Sequence, residues 1–225
     1  MILFVDTEHE SGFAKPHGEW LLAARTRIKY RLEDITDDEV YLVRYDRLSA
    51  DLILRLSARA IFFSGSSSVP EDFAPGQQEP MFEVIRQTEL PLFGFCGGHQ
   101  VIGKALGVPL EPIGPIPEGE HDPDPKRSPG MLKEYGYFGV PLTATHPVLD
   151  GLGPAPVMRN AHSWELKAAP PGFAVTAATD ITPIQMMVND ERHIVGTQFH
   201  PEYWTDEHPA GHRMIENFCR WANLI

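Results

Sequence analysis

Two short stretches of the chain carry residue types that can do chemistry together. The first, Gly94-Phe95-Cys96-Gly97-Gly98-His99-Gln100, follows the apolar run Leu90-Pro91-Leu92-Phe93 and precedes an amphipathic stretch over residues 101–106. A thiol on a tight strand-to-helix turn, with glycine two residues to either side, is the sulfur counterpart of the G-x-S-x-G nucleophile elbow. Glycine is needed there because the nucleophile's backbone is strained and neighbouring chain passes too close for a Cβ. A helix beginning at Cys96 also offers unpaired N–H groups and the positive end of its dipole, which favour a thiolate. The plainer alternative is a buried cysteine packed as a small hydrophobe, and the motif by itself favours the nucleophile over it only moderately.

The second stretch is Ile194-Val195-Gly196-Thr197-Gln198-Phe199-His200-Pro201-Glu202. In extended chain, residues two apart point the same way, so His200 and Glu202 can face one site. Pro201 between them restricts φ. An imidazole beside a thiol takes its proton, and a carboxylate behind the imidazole fixes its tautomer and steadies the imidazolium. Alone, His200 reads as a satisfied strand-end histidine. With the cysteine elbow roughly a hundred residues earlier, Cys96, His200 and Glu202 read as a nucleophilic triad.

GFCGGHQ and GTQFHPE resemble the two signature blocks of the class I (triad) glutamine amidotransferases, whose catalytic domain uses Cys-His-Glu. The resemblance covers most of the chain. Ile61-Phe62-Phe63-Ser64-Gly65-Ser66 sits where that family has an apolar strand and an S-G-G-P turn. Lys133-Glu134-Tyr135-Gly136 resembles its E-x-G block, Ala161-His162-Ser163-Trp164 its S-H-x-x block, and Asn217-Phe218 the N-F of its last helix. The resemblance implies attack of Cys96 on the side-chain amide of L-glutamine, through a γ-glutamyl thioester. Oxyanion donors are expected from Gly97, the residue after the nucleophile, and from the Gly65-Ser66 turn. Gln100, Gly136, Ser163 and Trp164 fall in blocks that hold the substrate's amino-acid head. No cofactor is implied, and a separate synthetase or aminase subunit is the expected recipient of ammonia. Two departures stand out: the S-G-G-P turn is here Ser64-Gly65-Ser66-Ser67, and a proline-rich loop follows the nucleophile helix. The same triad would serve a γ-glutamyl hydrolase or peptidase, and a silent binding or regulatory protein would keep the fold without the chemistry.

The elements that must position these residues are legible as an alternation. Residues 2–5, 40–43, 60–63 and 92–95 are strand-like; residues 19–33, 48–56, 81–87 and 98–106 have helical spacing. Such β-α-β alternation predicts a three-layer α/β fold, flavodoxin-like, with an open and mostly parallel central sheet and helices on both faces. Ligands then bind beyond the carboxyl ends of the strands, where Cys96 and Gly65-Ser66 both fall. The second half has short β runs (137–142, 156–158, 173–178, 184–188, 193–199), expected as a small antiparallel addition, and a closing helix over 214–224. A single domain over 1–225 is expected. The loop 111–130 holds six prolines and no period, and reads either as a solvated excursion or as a lid or docking surface.

Composition narrows the class. With 31 acidic against 19 Lys+Arg residues the net charge is −12, which excludes the basic face of a nucleic-acid binder. No run approaches the ~18 apolar residues of a membrane span. The start reads as a first strand rather than a signal peptide, and the cytoplasm is the expected compartment. Two cysteines give no disulfide framework, and Cys219 is expected in the core. His99 and His162 have no accompanying ligand cluster, so no metal is expected. His162 is expected to shape the pocket or bond a backbone group, and His9, His17, His208 and His212 to face solvent.

Overall fold

A computed structural model describes residues 1–126 and 128–225. Its centre is a seven-stranded sheet in the order β2-β1-β3-β4-β11-β10-β9. The strands are β1 (Ile2–Asp6), β2 (Val40–Arg44), β3 (Ala60–Phe63), β4 (Leu92–Phe95), β9 (Ala174–Ala177), β10 (Met186–Asn189) and β11 (Ile194–Thr197). The pairs β1–β2, β1–β3, β3–β4 and β4–β11 are parallel, and β10 and β9 add to β11 antiparallel. Two antiparallel ribbons stand apart: β5 (Leu110–Pro112) with β8 (Trp164–Leu166), and β6 (Glu134–Gly139) with β7 (Val157–His162). The helices are α1 (Glu10–Phe13), α2 (Gly18–Thr36), α3 (Ala50–Arg55), α4 (Glu79–Gln87), α5 (Gly97–Ala105) and α6 (Ala210–Trp221).

The continuous apolar runs of the parallel strands follow from burial on both faces. Along β1, Ile2 and Phe4 join one core, with Ile28 and Leu32 of α2 and Met214, Ile215 and Phe218 of α6. Leu3 and Val5 join the other, with Met81 and Ile85 of α4 and Val101 and Ile102 of α5. This two-residue alternation fixes the sheet between its helix layers and leaves its carboxyl edge free to carry loops. Register aligns that edge: Phe95 pairs with Thr197, and Phe63 with Gly94.

Three elements lie where the sequence pattern had not put them. The strand expected over 137–142 starts earlier, at Glu134. The three-residue strands β5 and β8 are too short to carry a period. The loop 111–130 is partly ordered backbone: its first residues form β5, Ile113 N–H donates to the Ser163 carbonyl at 2.9 Å, and Leu132 N–H donates to the Gly114 carbonyl at 2.8 Å. Residue 127 of this loop lies outside the described residues. No helix among the described residues is long and apolar enough to cross a membrane.

Candidate active site

Cys96 lies between the end of β4 and the first turn of α5, with φ 46° and ψ −98°. A non-glycine residue there is strained, and the surroundings hold it. Its N–H donates to the Thr197 carbonyl at 2.7 Å, tying the elbow to β11. The flanking glycines are required by close approach: a Cβ on Gly94 would come within 2.5 Å of Gly98, and one on Gly98 within 2.5 Å of the Phe63 carbonyl oxygen. The helix therefore starts directly against the sheet, and the thiol stands at its amino end.

His200 reaches the thiol by a route that differs from the sequence expectation. The strand β11 stops at Thr197, and Pro201–Tyr203 form a 3-10 turn rather than extended chain. The imidazole and carboxylate meet across that turn, with His200 Nδ1 2.7 Å from Glu202 Oε1. His200 N–H is anchored on the Arg159 carbonyl at 2.8 Å. Cys96 lies near enough to the ring for a charge on its sulfur to act on it. Burial by itself lowers the basicity of this ring, but the charges of Glu202 and Cys96 outweigh it and raise its pKa to about 10.

The turn after β3 holds the third part. The Gly65 carbonyl accepts from Arg25 Nη2 at 2.7 Å, from Ser64 Oγ at 2.8 Å and from Thr7 Oγ1 at 3.4 Å. Because a trans peptide sets N–H opposite C=O, this grip turns the Ser66 N–H the other way. There Ser66 N lies 2.6 Å from the point a Cβ on Gly97 would occupy. Ser66 N and Gly97, the residue after Cys96, are thus close neighbours. Gly65 itself is obligatory, since a Cβ would stand 2.6 Å from His200 Cε1 and 3.8 Å from the Cys96 Cβ.

Arg25 and Glu8 build that turn, and neither was found by motif. Arg25 is buried, with Nε on Asp6 Oδ1 at 2.9 Å. Glu8, also buried, accepts from Ser67 N–H at 2.7 Å, Ser67 Oγ at 2.8 Å and Ser68 Oγ at 2.6 Å. A charged residue on the apolar stripe of α2, between Leu21 and Ile28, was the one available signal for Arg25. Glu8 gives none. Gln198 was also missed: its amide donates to Cys96 Sγ at 3.5 Å, while Gln100 donates to Gln198 Oε1 at 3.2 Å and to the Trp164 carbonyl at 3.0 Å.

Two cavities meet at this centre. One, of about 360 Å³, is walled by Cys96, Gly97, Gln100, Ser163 and Trp164, among others. The second, of about 380 Å³, lies on the His200 side, against Gly65, Trp20, Tyr203 and Arg159. Ser66, His17 and Tyr135 border both. Gly136, with φ 117°, is in neither wall; its neighbour Tyr135 stands there instead. His162 lines the first cavity and bonds side chains rather than backbone, at 3.2 Å from Glu134 Oε2 and from Thr182 Oγ1. His17 is half-buried, with Nε2 3.1 Å from Ser67 Oγ, so it is not the solvent-facing residue expected; His9 and His208 are half-buried too, and of these four only His212 is exposed. His99 is wholly buried beneath the helix, its pKa pushed down to about 3 by desolvation and by His162. Cys219 is in the core, where burial pushes its thiol up to about 12.

The loop 111–130 contributes Lys126 and Ser128 to the first cavity. Ser128 Oγ bonds Ser163 Oγ at 3.0 Å, and buried Lys133 bonds Asp122 at 2.8 Å and the Asp124 and Ser128 carbonyls at 2.9 and 3.0 Å. The loop thus reaches the rim of the first cavity through Lys126 and Ser128, while most of its other described residues face solvent.

The family model for glutamine amidotransferase class-I matches residues 26–221. The chain belongs to the class-I glutamine amidotransferases. Its relatives within them include the glutamine-hydrolyzing GMP synthase of Leifsonia xyli subsp. xyli, 33% identical over 186 residues covering 80% of this chain and 32% of that protein. Another is a subunit of the glutamine-hydrolyzing GMP synthase of Pyrococcus furiosus, 29% identical over 170 residues covering 76% of this chain and 79% of that one. The chain thus spans about a third of the length of the longer GMP synthases that it matches. The amidotransferase fold recurs in a Thermoplasma acidophilum structure described as a GMP synthase subunit, with TM-score 0.72, 19% identity, and coverage of 99% of this chain and 94% of that one. The glutaminase domain of Trypanosoma brucei CTPS, solved with bound acivicin, superposes with TM-score 0.65 at 17% identity, covering 99% of this chain and 94% of that one.

Proposed function

We propose that this amidotransferase chain hydrolyses the side-chain amide of L-glutamine and passes the ammonia to a separate acceptor enzyme. The observation that carries the reading is the convergence of three loops on one sheet edge: the Cys96 elbow, the His200–Glu202 turn and the clamped Gly65-Ser66 peptide. Cys96 as thiolate attacks the carboxamide carbon, and the carbon–oxygen π electrons move onto oxygen. Ser66 and Gly97 N–H groups hold that oxyanion, which in a dry site is worth far more than in water. Collapse expels the amine, which takes its proton from His200 and leaves as ammonia, giving a γ-glutamyl thioester. His200 then draws a proton from water, whose oxygen displaces the thiolate and yields glutamate. Glu202 steadies the imidazolium throughout, and the Gln198 amide favours the thiolate before attack.

Gln100, Ser163 and Trp164 bind the amino-acid head in this reading. Gly136 shapes the backbone next to Tyr135 without contact. The acceptor is inferred to be a synthetase of the GMP synthase type, since relatives of that name match across this chain. The compartment is inferred to be the cytoplasm, where two free cysteines stay reduced. Ammonia release from glutamine, stimulated by addition of such a synthetase, tests the reading; glutamine left intact with and without the partner contradicts it.

The cavity beside His200 favours a second reading. Ammonia needs no space of about 380 Å³, and Trp20, Tyr203 and Arg159 would suit a larger leaving amine. Under that reading the chain is a γ-glutamyl hydrolase. A higher kcat/KM for γ-glutamyl dipeptides than for glutamine would select it; a preference for glutamine selects the first.

A further inference from the structure

The walls of the cavity beside Cys96 are one-signed. Lys15, His17, Lys104, Lys126, Lys133 and His162 line it, and among the described residues no aspartate or glutamate does, in a chain whose acids outnumber Lys+Arg 31 to 19. A concave site of one sign in a low-dielectric wall focuses the field on its ligand. Three of these residues have acidic partners: Lys133 on Asp122 at 2.8 Å, His162 on Glu134 at 3.2 Å, and Lys15 with Asp72 at 3.9 Å. Lys104 has none within ion-pair distance among the described residues. Its Nζ donates to the neutral Gln78 amide at 3.0 Å and lies 5.5 Å over the Phe82 ring. It is half-buried, and burial draws its pKa below the usual lysine value with only the Glu71 charge opposing. Holding a cation there without a counter-charge costs stability unless a ligand supplies one.

Position on the helix sets the scale. Cys96, Gln100 and Lys104 recur at four-residue spacing along one face of α5. At 1.5 Å per residue, Gln100 lies about 6 Å and Lys104 about 12 Å from the nucleophile along the axis. Free glutamine with its amide carbon at Cys96 ends near the level of Gln100. Lys104 and Gln78 close the cavity one turn beyond.

Resting on the glutamine-hydrolase reading above, we propose that this cavity takes a carboxamide substrate longer and more negative than free glutamine. It is a glutamine unit extended through its α-carboxyl group by a residue bearing a further carboxylate. Lys104 pairs with that carboxylate, and Lys126 on the overlying loop adds attraction at the mouth.

The test is equilibrium binding to the Cys96→Ala protein, which removes turnover from the readout. Glutaminyl-glutamate should bind at least about tenfold tighter than glutaminyl-alanine, the yield of one charge-assisted hydrogen bond. That advantage should shrink with added salt. Lys104→Met in the same background should bring the two dipeptides together while leaving glutaminyl-alanine within about twofold of its parent affinity. Lys126→Ala, on an exposed position, should remove a smaller part. Equal affinities in the parent protein, or an advantage that Lys104→Met leaves intact, would overturn the proposal. Failure of glutamine hydrolysis itself is read separately, as ammonia release by the wild-type chain, and leaves the binding comparison standing.

Discussion

The two loops that face each other across the sheet edge are held by opposite means. The elbow after β4 is fixed by absence: Gly94 and Gly98 leave no room for side chains, and the helix is pressed onto the sheet. The turn after β3 is fixed by presence: Arg25, Asp6, Glu8 and three serines grip its carbonyl and amide groups. The family's S-G-G-P turn relies on glycine and proline, and this chain has a serine cluster there. The buried carboxylate of Glu8 accepts hydrogen bonds from Ser67 and Ser68 of that cluster and so holds its backbone. A strained geometry can thus be imposed sterically or by hydrogen bonds, and only the first leaves a motif.

That contrast can be broken first at the nucleophile. Cys96→Ala should abolish glutamine turnover while the fold survives, since the change removes one sulfur atom; ammonia release and the unfolding midpoint read the two halves. On the steric side, Gly98→Ala drives a Cβ into the Phe63 carbonyl at 2.5 Å. Overpacking of this kind costs about 1–3 kcal/mol or more, read as a lower urea midpoint. On the polar side, Arg25→Met frees the Gly65 carbonyl and strands buried Asp6 and Glu8. Removing one partner of a buried ion pair costs about 3–5 kcal/mol. In whatever protein folds, kcat should fall about 10²–10³-fold through loss of a directed oxyanion donor. Glu8→Gln keeps the shape and some acceptors, so a smaller loss in kcat with KM little changed is expected. An unchanged kcat would show that the serine turn holds itself.

A further test concerns pH. The pKa of His200 is raised to about 10 in the folded chain against the usual ~6.5. Its contribution to stability is therefore complete below about pH 6.5 and is lost as pH rises toward 10. Unfolding midpoints across that window should decline, and Glu202→Gln should flatten the decline by removing the larger of the two charges that raise the ring's pKa. A slope that Glu202→Gln leaves unchanged would assign it to other groups.

Legibility in the sequence follows the same division. The parallel strands and their helices were readable because burial on both faces imposes apolar runs and helical spacing. Cys96, His200 and Glu202 were readable as a candidate cluster because sulfur, imidazole and carboxylate sit in compact blocks. His200 and Glu202 meet as expected, yet across a 3-10 turn, since Pro201 starts a turn instead of continuing a strand. Glu8 and Gln198 were not readable, because hydrogen bonds between residues many positions apart leave no period, and Arg25 showed only as a charge on the apolar stripe of α2. The short strands β5 and β8 escaped for a related reason, as three residues cannot display alternation.

The most direct test of the central claim is covalent labelling with a glutamine analogue bearing a chloroketone in place of its amide, followed by mass spectrometry of the peptides. The account predicts one adduct, at Cys96 and not at buried Cys219, formed much more slowly in His200→Ala and blocked by excess glutamine. Labelling that spares Cys96, or that proceeds at the same rate without the imidazole, would contradict it.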